Sequence, residues 1–399
     1  MKSGRLSLDA LIIGAGMVGA CAALALARAG LRVAVVEREP SVAPQLAEPV
    51  DLRVVAIAPH AQHLLAKLGV WKDIAAVRAS VYTQMQVCDA LGAGSLSFSA
   101  ADYVWPALGH IVENRLVAGV LWRALEAEPN IRLVVGDELR SFVVDEHGAQ
   151  ARLASGLSLQ ASLLVGADGV NSKVREQLLI GVSGQSYGQS ALVAHLSVQN
   201  ATPELAWQRF LPSGPLAFLP LQGQVSMVWT LPTERANALK DAPVEQFEAQ
   251  LQRASAGQFG RIQLASERAS FPLRLQIAQA FAQQRAILIG DAAHVVHPLA
   301  GQGVNLGFGD VSALLNIVNK AQATQRAPLS SAALVRWARE RRSEVSLAGH
   351  AFDGLNRLYG IAEGPMVSAR AFGLNVVDRL TPLKRKLAEH AAGLRAGHV

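Results

Sequence analysis

The sequence predicts an α/β fold: a Rossmann-like domain carrying an inserted, mostly antiparallel β domain, with a helical C-terminal region. Three observations predict it. A strand–glycine–helix–strand–Glu unit opens the chain. Two later apolar runs, 162–167 and 286–290, lead like the first into a turn, here marked by aspartate and glycine. Between them, from 186 to 275, the pattern changes to short alternating segments punctuated by Pro and Gly, as antiparallel strands require.

Taken in order, residues 9–14 (DALIIG) form an apolar run ending in glycine, which reads as a buried parallel strand. Residues 17–29 are Ala/Leu-rich with helical spacing and are closed by Gly30. Residues 31–36 (LRVAVV) give the next strand, completing a βαβ unit. A helix is expected over 59–70, ending at Gly69, and antiparallel strands over 80–105. Residues 114–128 read as a helix, followed by strands near 131–135, 141–145 and 150–154. Residues 162–167 form a buried strand ahead of Asp168. An amphipathic helix near 243–254 interrupts the alternating region. Residues 286–290 return to the buried-strand pattern, a helix follows from about 302, and the chain is mainly helical and Arg-rich from 330.

At 399 residues the chain exceeds a single core, and 51% hydrophobic with 17% charged residues excludes disorder. Mean hydropathy is +0.24, yet no apolar run of about 18 residues predicts a membrane span. Cys21 and Cys88 make neither a disulfide framework nor a metal cluster, so a reducing cytoplasm is expected. Lys2 and Arg5 before an apolar run imitate a signal peptide, but Gly14, Gly16 and Gly19 interrupt that run for a reason of their own. The net charge of +6 comes without a long basic run interleaved with aromatics, which argues against nucleic acid. Much of the excess lies at Arg379, Lys384, Arg385, Lys386 and Arg395, either a solvated helix face or a contact for an anionic membrane surface.

The first motif is GAGMVG (Gly14, Ala15, Gly16, Met17, Val18, Gly19) between strand and helix. Its first glycine permits a tight turn, the second lets a pyrophosphate reach the backbone, and the third lets helix and strand pack closely. Glu37, followed by Arg38, stands 18 residues after Gly19, where a carboxylate accepts from a ribose hydroxyl and disfavours a 2′-phosphate. This motif does not separate FAD from NAD. The second, GADGVNSKVR, carries Asp168, Gly169, Ser172 and Arg175; the third, GDAAHVVHPLAGQGVNLG, carries Gly290, Asp291, Pro298, Gly301, Gln302, Gly303, Val304 and Asn305. Asp291 at a strand's carboxyl end suits a ribitol chain. The glycine-rich loop at a helix start supports negative charge on a reduced flavin ring. Together they select FAD.

In order and spacing these motifs resemble the class A flavoprotein monooxygenases, the aromatic hydroxylases typified by para-hydroxybenzoate hydroxylase. The resemblance implies that Gly14, Gly16, Gly19 and Glu37 hold the AMP half, Asp291 the ribitol, and 298–306 the isoalloxazine. It implies that Arg53 and Arg115 lie near the flavin and its phosphates, and that Asp168 and Gly169 serve both FAD and NAD(P)H. VENRLVAGVLWRAL, YGQSALVAHL, RFLPSGPLAFLPL, VSMVW, GQGVNLGFGDV and NVVDRLTPLK resemble one branch, the ubiquinone-biosynthesis hydroxylases. The implied reaction hydroxylates a polyprenylated phenol with molecular oxygen and NAD(P)H through a flavin C(4a)-hydroperoxide. The implied partners are other ubiquinone-biosynthesis proteins and the inner face of the membrane; homo-oligomerisation is left open. Rival functions are hydroxylation of another small aromatic compound, a flavin-binding assembly role in a biosynthetic complex, and an oxidoreductase working without oxygen. The expected division is 1–80, 106–185 and 276–330 for the FAD-binding domain, 81–105 and 186–275 for the substrate domain, and 331–399 for the helical region.

His294 and His297 lie three apart, but Pro298 and the lack of a third ligand argue against metal. His195 is either a substrate-pocket residue or a satisfied sheet histidine, the second being favoured. Tyr187, Phe210, Phe218 and Trp229 line a pocket or fill core, again with the core favoured. The stretch from Asp378 to Gly397 either docks on membrane or packs on the flavin domain. No nucleophile elbow is present, so the chemistry is expected to centre on the cofactor and no catalytic side chain is assigned.

Overall fold

The computed structural model describes residues 8–296, 303–325 and 329–393. A six-stranded sheet organises the first domain in the order 282–283, 286–288, 164–166, 10–13, 33–37, 131–135. Its strands are parallel except the two-residue edge, with Leu11 opposite Leu164 and Leu164 opposite Ala286. Strand Ala10–Ile13 and helix Met17–Arg28 are buried almost throughout, which is why both read as apolar rather than alternating. Small three-stranded sheets of 139–144, 149–153 and 158–161, and of 54–57, 109–113 and 80–82, flank it.

Strands from two chain-distant segments, 84–99 and 182–278, merge into one large sheet, to which His294–Val295 adds an edge. The long strand Val182–Val198 is its spine and obeys the period of two. Leu192, Ala194 and Leu196 point to a core with Trp207, Phe218, Trp229 and Phe247 beneath helices Thr233–Asp241 and Val244–Ala254. Ala191 and Val193 belong to the opposite face, where Leu52, Tyr187, Val228 and Leu273 join them.

Helix Ser331–Gly360 crosses from the first domain to this sheet, where Tyr359 stacks on Phe210 at 4.0 Å. Helix Pro365–Arg379 closes the exposed edge of strand Ser95–Ser99: Asn375 Oδ1 accepts from Ser95 N–H and Asp378 Oδ1 from Ser97 N–H, each at 3.0 Å. An open edge would template aggregation, and side-chain acceptors blunt it here. The buried Arg370–Asp89 pair, 2.8 Å, fixes that helix to the sheet.

Several expectations are corrected. The helix expected to end at Gly69 does so, running Pro59–Lys67 with Gly69 at φ +63°, but a further short helix, Trp71–Val77, follows it unanticipated. Strands 54–57 and 158–161 and helix Thr233–Asp241 were not anticipated, being short and weakly periodic. Strand 80–82 joins a small sheet, and one pair in the large sheet, 84–89 with 205–211, is parallel. Phe218 and Trp229 are core on the helix-covered face, and Phe210 packs on Tyr359. The late helices pack mainly on the large sheet, returning to the first domain where His60 meets the Ala392 carbonyl.

Candidate active site

Each motif begins where a parallel strand ends. Strand Ala10–Ile13 runs into Gly14, Leu164–Gly166 into Asp168, and Ala286–Leu288 into Gly290 and Asp291. Since the three strands are neighbours, their carboxyl ends share one edge, where α/β sheets place ligands. The motifs touch. A Cβ on Gly14, at φ +95°, would overlap the Ala167 carbonyl, and one on Gly19 would overlap the Gly14 carbonyl. Val18 packs against Gly290 and Gly307, and Arg175 donates to the Ala292 carbonyl at 2.8 Å.

The Glu37 carboxylate turns to the glycine loop, accepting from Ala15 N–H at 2.6 Å and from Arg38 N–H at 2.8 Å. Asp168 Oδ2 accepts from Val174 N–H at 3.1 Å, while Oδ1 is buried without a hydrogen-bond partner. Ser172 caps helix Lys173–Gln177 by accepting from Arg175 N–H. Asp291 is solvent-accessible, yet its carboxyl is raised above the ordinary range, because desolvation by surrounding protein outweighs the pull of His294 and Arg53.

Behind Gly290 is a charged hub. Asp310 is fully buried on helix Gly303–Ala323; Oδ2 accepts from Gly290 N–H at 3.0 Å and lies 2.7 Å from His294 Nε2. Its Oδ1 accepts from Arg341 Nε at 2.8 Å, and Arg341 also binds Glu344 and the Leu306 carbonyl. Burial alone would raise the Asp310 carboxyl, but the charges of His294 and Arg341 hold it below its usual range.

Segment 51–53 spans the seam between the domains. Arg53 lies with Cζ 5.5 Å from the Phe271 ring centroid, and Leu52 enters the apolar cluster on the large sheet. His195 is buried and directs Nε2 to the Asp51 carbonyl at 3.0 Å.

An FAD binding domain family matches residues 7–342. The chain is 34% identical to 3-demethoxyubiquinol 3-hydroxylase of Escherichia coli, covering 96% of this chain and 98% of that one. It is 36% identical to the ubiquinone hydroxylase UbiL of Rhodospirillum rubrum, covering 96% and 89%. The chain belongs to the FAD-dependent aromatic hydroxylases, in their ubiquinone-biosynthesis branch. The crystal structure of p-nitrophenol 4-monooxygenase PnpA from Pseudomonas putida shares the fold, with TM-score 0.77 and 19% identity over 98% of this chain and 99% of that one.

As an FAD-dependent monooxygenase, the chain presents fitting groups. Helix Met17–Arg28 points its N-terminus at the shared edge, where first-turn amides lack intrahelical partners, and a Cβ on Gly16 would meet no atom within 4 Å. Gly14, Ala15, Gly16, Met17, Val18, Gly19, Glu37, Asp168, Gly169, Gly290 and Asp291 gather at this edge, with the Arg53 charge reaching Asp291. Gly303 and Val304 begin the following helix; Pro298, Gly301, Gln302 and His297 lie outside the described residues. Arg115 binds Glu48 at 2.7 Å and the Val42 carbonyl, while Arg38 exerts its charge on Glu138. Asn305 is occupied structurally, its side chain bridging Ala56 O and Ala58 N–H. His195 faces segment 51–53. Sequence reasoning missed Asp310, Arg341, Glu113 and Arg78. The signal for Asp310 was a carboxylate on the apolar face of GFGDVSALL.

Proposed function

We propose that this hydroxylase inserts one oxygen atom into the aromatic ring of a polyprenylated phenol during ubiquinone biosynthesis. The observation that carries the reading is the convergence of three motifs at one sheet edge, beside an apolar sheet face. Gly14–Gly19 and Glu37 would hold the adenosine and pyrophosphate, Asp291 the ribityl hydroxyls, and Arg53 an anionic part of the cofactor. Bound FAD, reduced by NAD(P)H, supplies oxygen activation; one oxygen atom enters the ring and the other leaves as water. The chain's own part is to orient the ring and exclude water. Ala191, Val193, Val228 and Leu273 offer a dry wall for it. The test is incubation with FAD, NAD(P)H and a prenylated phenol under 18O2. A product one oxygen-18 atom heavier supports the reading; NAD(P)H oxidation with hydrogen peroxide as the sole product overturns it.

Peripheral contact with the inner face of an anionic membrane is part of the proposal. Exposed Leu380, Leu383 and Leu387 stand beside Arg379, Arg385 and Lys386 on the late helices. Among the described residues no helix is long and apolar enough to cross a membrane. Sedimentation with phosphatidylglycerol vesicles, lost in high salt and in L383E/L387E, checks it; equal sedimentation of that variant refutes it.

A further inference from the structure

Segment 51–53 is held at both ends by groups from two domains. Asp51 N–H donates to Glu113 Oε1 at 2.8 Å, and the Asp51 carbonyl accepts from His195 Nε2 at 3.0 Å. Arg53 N–H donates to Asp51 Oδ1 at 2.8 Å, and the Arg53 carbonyl accepts from Asn114 N–H at 2.9 Å. Glu113 is itself fixed, its Oε2 receiving Arg78 Nε at 2.9 Å. His195 is 2% exposed on the large sheet and Glu113 2% exposed in the first domain. Because a carbonyl can only accept, the His195 proton facing Asp51 is on Nε2; Nδ1 is buried without a hydrogen-bond partner. With its backbone so restrained, Arg53 keeps only side-chain freedom, and its charge reaches Asp291.

We propose that His195, working with Glu113, is a positioning residue: through the Asp51 carbonyl it sets where the Arg53 guanidinium meets FAD. The large sheet thereby helps form the cofactor site. This rests on the reading of Arg53 as an FAD-site residue. It gives a buried histidine a task that a packing role would not.

A double-mutant cycle on FAD affinity tests it, using deflavinated protein titrated with FAD by flavin fluorescence. R53Q is expected to weaken binding about tenfold, and H195L by a similar factor. H195Q, whose amide N–H reaches the same carbonyl, restores binding to within about twofold. In the double variant H195L/R53Q the losses do not multiply, because one acts through the other. Multiplying losses, or parental affinity in H195L, overturn the inference. Parental affinity in R53Q overturns instead the placement of Arg53 in the FAD site. Should H195L fail to fold, H195N, too short to reach Asp51, replaces it; equal affinity in H195N and H195Q overturns the inference.

Discussion

Gly16→Ala separates folding from cofactor binding more sharply than any other change in the glycine loop. Gly16 has φ −62° and ψ 179°, a conformation alanine adopts without strain, and its added methyl would meet no atom within 4 Å. The deflavinated variant should therefore melt no lower than the parent, and a gain of about 0.4–1 kcal/mol is expected from the less flexible unfolded chain. The methyl enters the space that a pyrophosphate must approach. Overpacking of about 1–3 kcal/mol there raises the FAD dissociation constant about 5- to 150-fold. Gly19→Ala is the contrasting control. Its methyl would overlap the Gly14 carbonyl and lie 2.9 Å from Ala167 Cβ, so the deflavinated protein itself loses about 1–3 kcal/mol. Thermal melts of both deflavinated variants, followed by fluorescence titration with FAD, read the two effects separately. Parental FAD affinity in G16A would refute the placement of the phosphates at this turn, and a lowered melt would refute the open space.

Asp310→Ala removes the buried carboxylate shared by Arg341, His294 and the Gly290 amide, leaving Arg341 only Glu344 and the Leu306 carbonyl, at a cost of about 3–5 kcal/mol. A denaturant midpoint unchanged from the parent would contradict the hub; D310N/R341M, which removes charge from both sides, should recover much of the loss. Burial holds His60, His110 and His195 below the ordinary histidine value. Their neutral forms keep full stability above the unfolded value near pH 6.5, and stability falls as pH drops below it, since the unfolded chain then binds more protons. H195Q should reduce that slope between pH 6.5 and 5 by up to about 1.4 kcal/mol per unit, seen as flatter urea midpoints. Asp291→Asn should weaken FAD binding by about tenfold without lowering the melt of the deflavinated protein, because the parent carboxyl already bears a desolvation cost; an unchanged titration would remove Asp291 from the site.

What was legible in the sequence follows from local physics. Gly14 and Gly19 announce themselves because close approach to Ala167 tolerates no side chain, and that demand is written at fixed spacing. Strands 10–13, 164–166 and 286–288 were legible because burial on both faces makes them uniformly apolar. The hub of Asp310 and Arg341, and the Glu113–Arg78 pair, were not, because an ion pair between distant segments leaves no periodic trace. Strand alternation told that Trp229 and Val228 face opposite ways, but not that helices cover the tryptophan side. His195 reads as a substrate-pocket residue or, preferably, a satisfied sheet histidine, but its partner, 144 residues earlier in a loop, leaves no sign in the sequence.

The arrangement of the central sheet sets a timetable for biosynthesis. Ala10 and Ala286 start strands whose ends serve one site, yet they lie 276 positions apart in the chain. At about 5–20 residues per second, a ribosome needs about 14–55 s to deliver the last wall after the first. Strand Leu164–Gly166, once made, has one unpaired edge until its partner Ala286–Leu288 emerges 120 residues later, about 6–24 s at the same rate. Cofactor loading is consequently a late event, because the wall begun at Ala286 is made last.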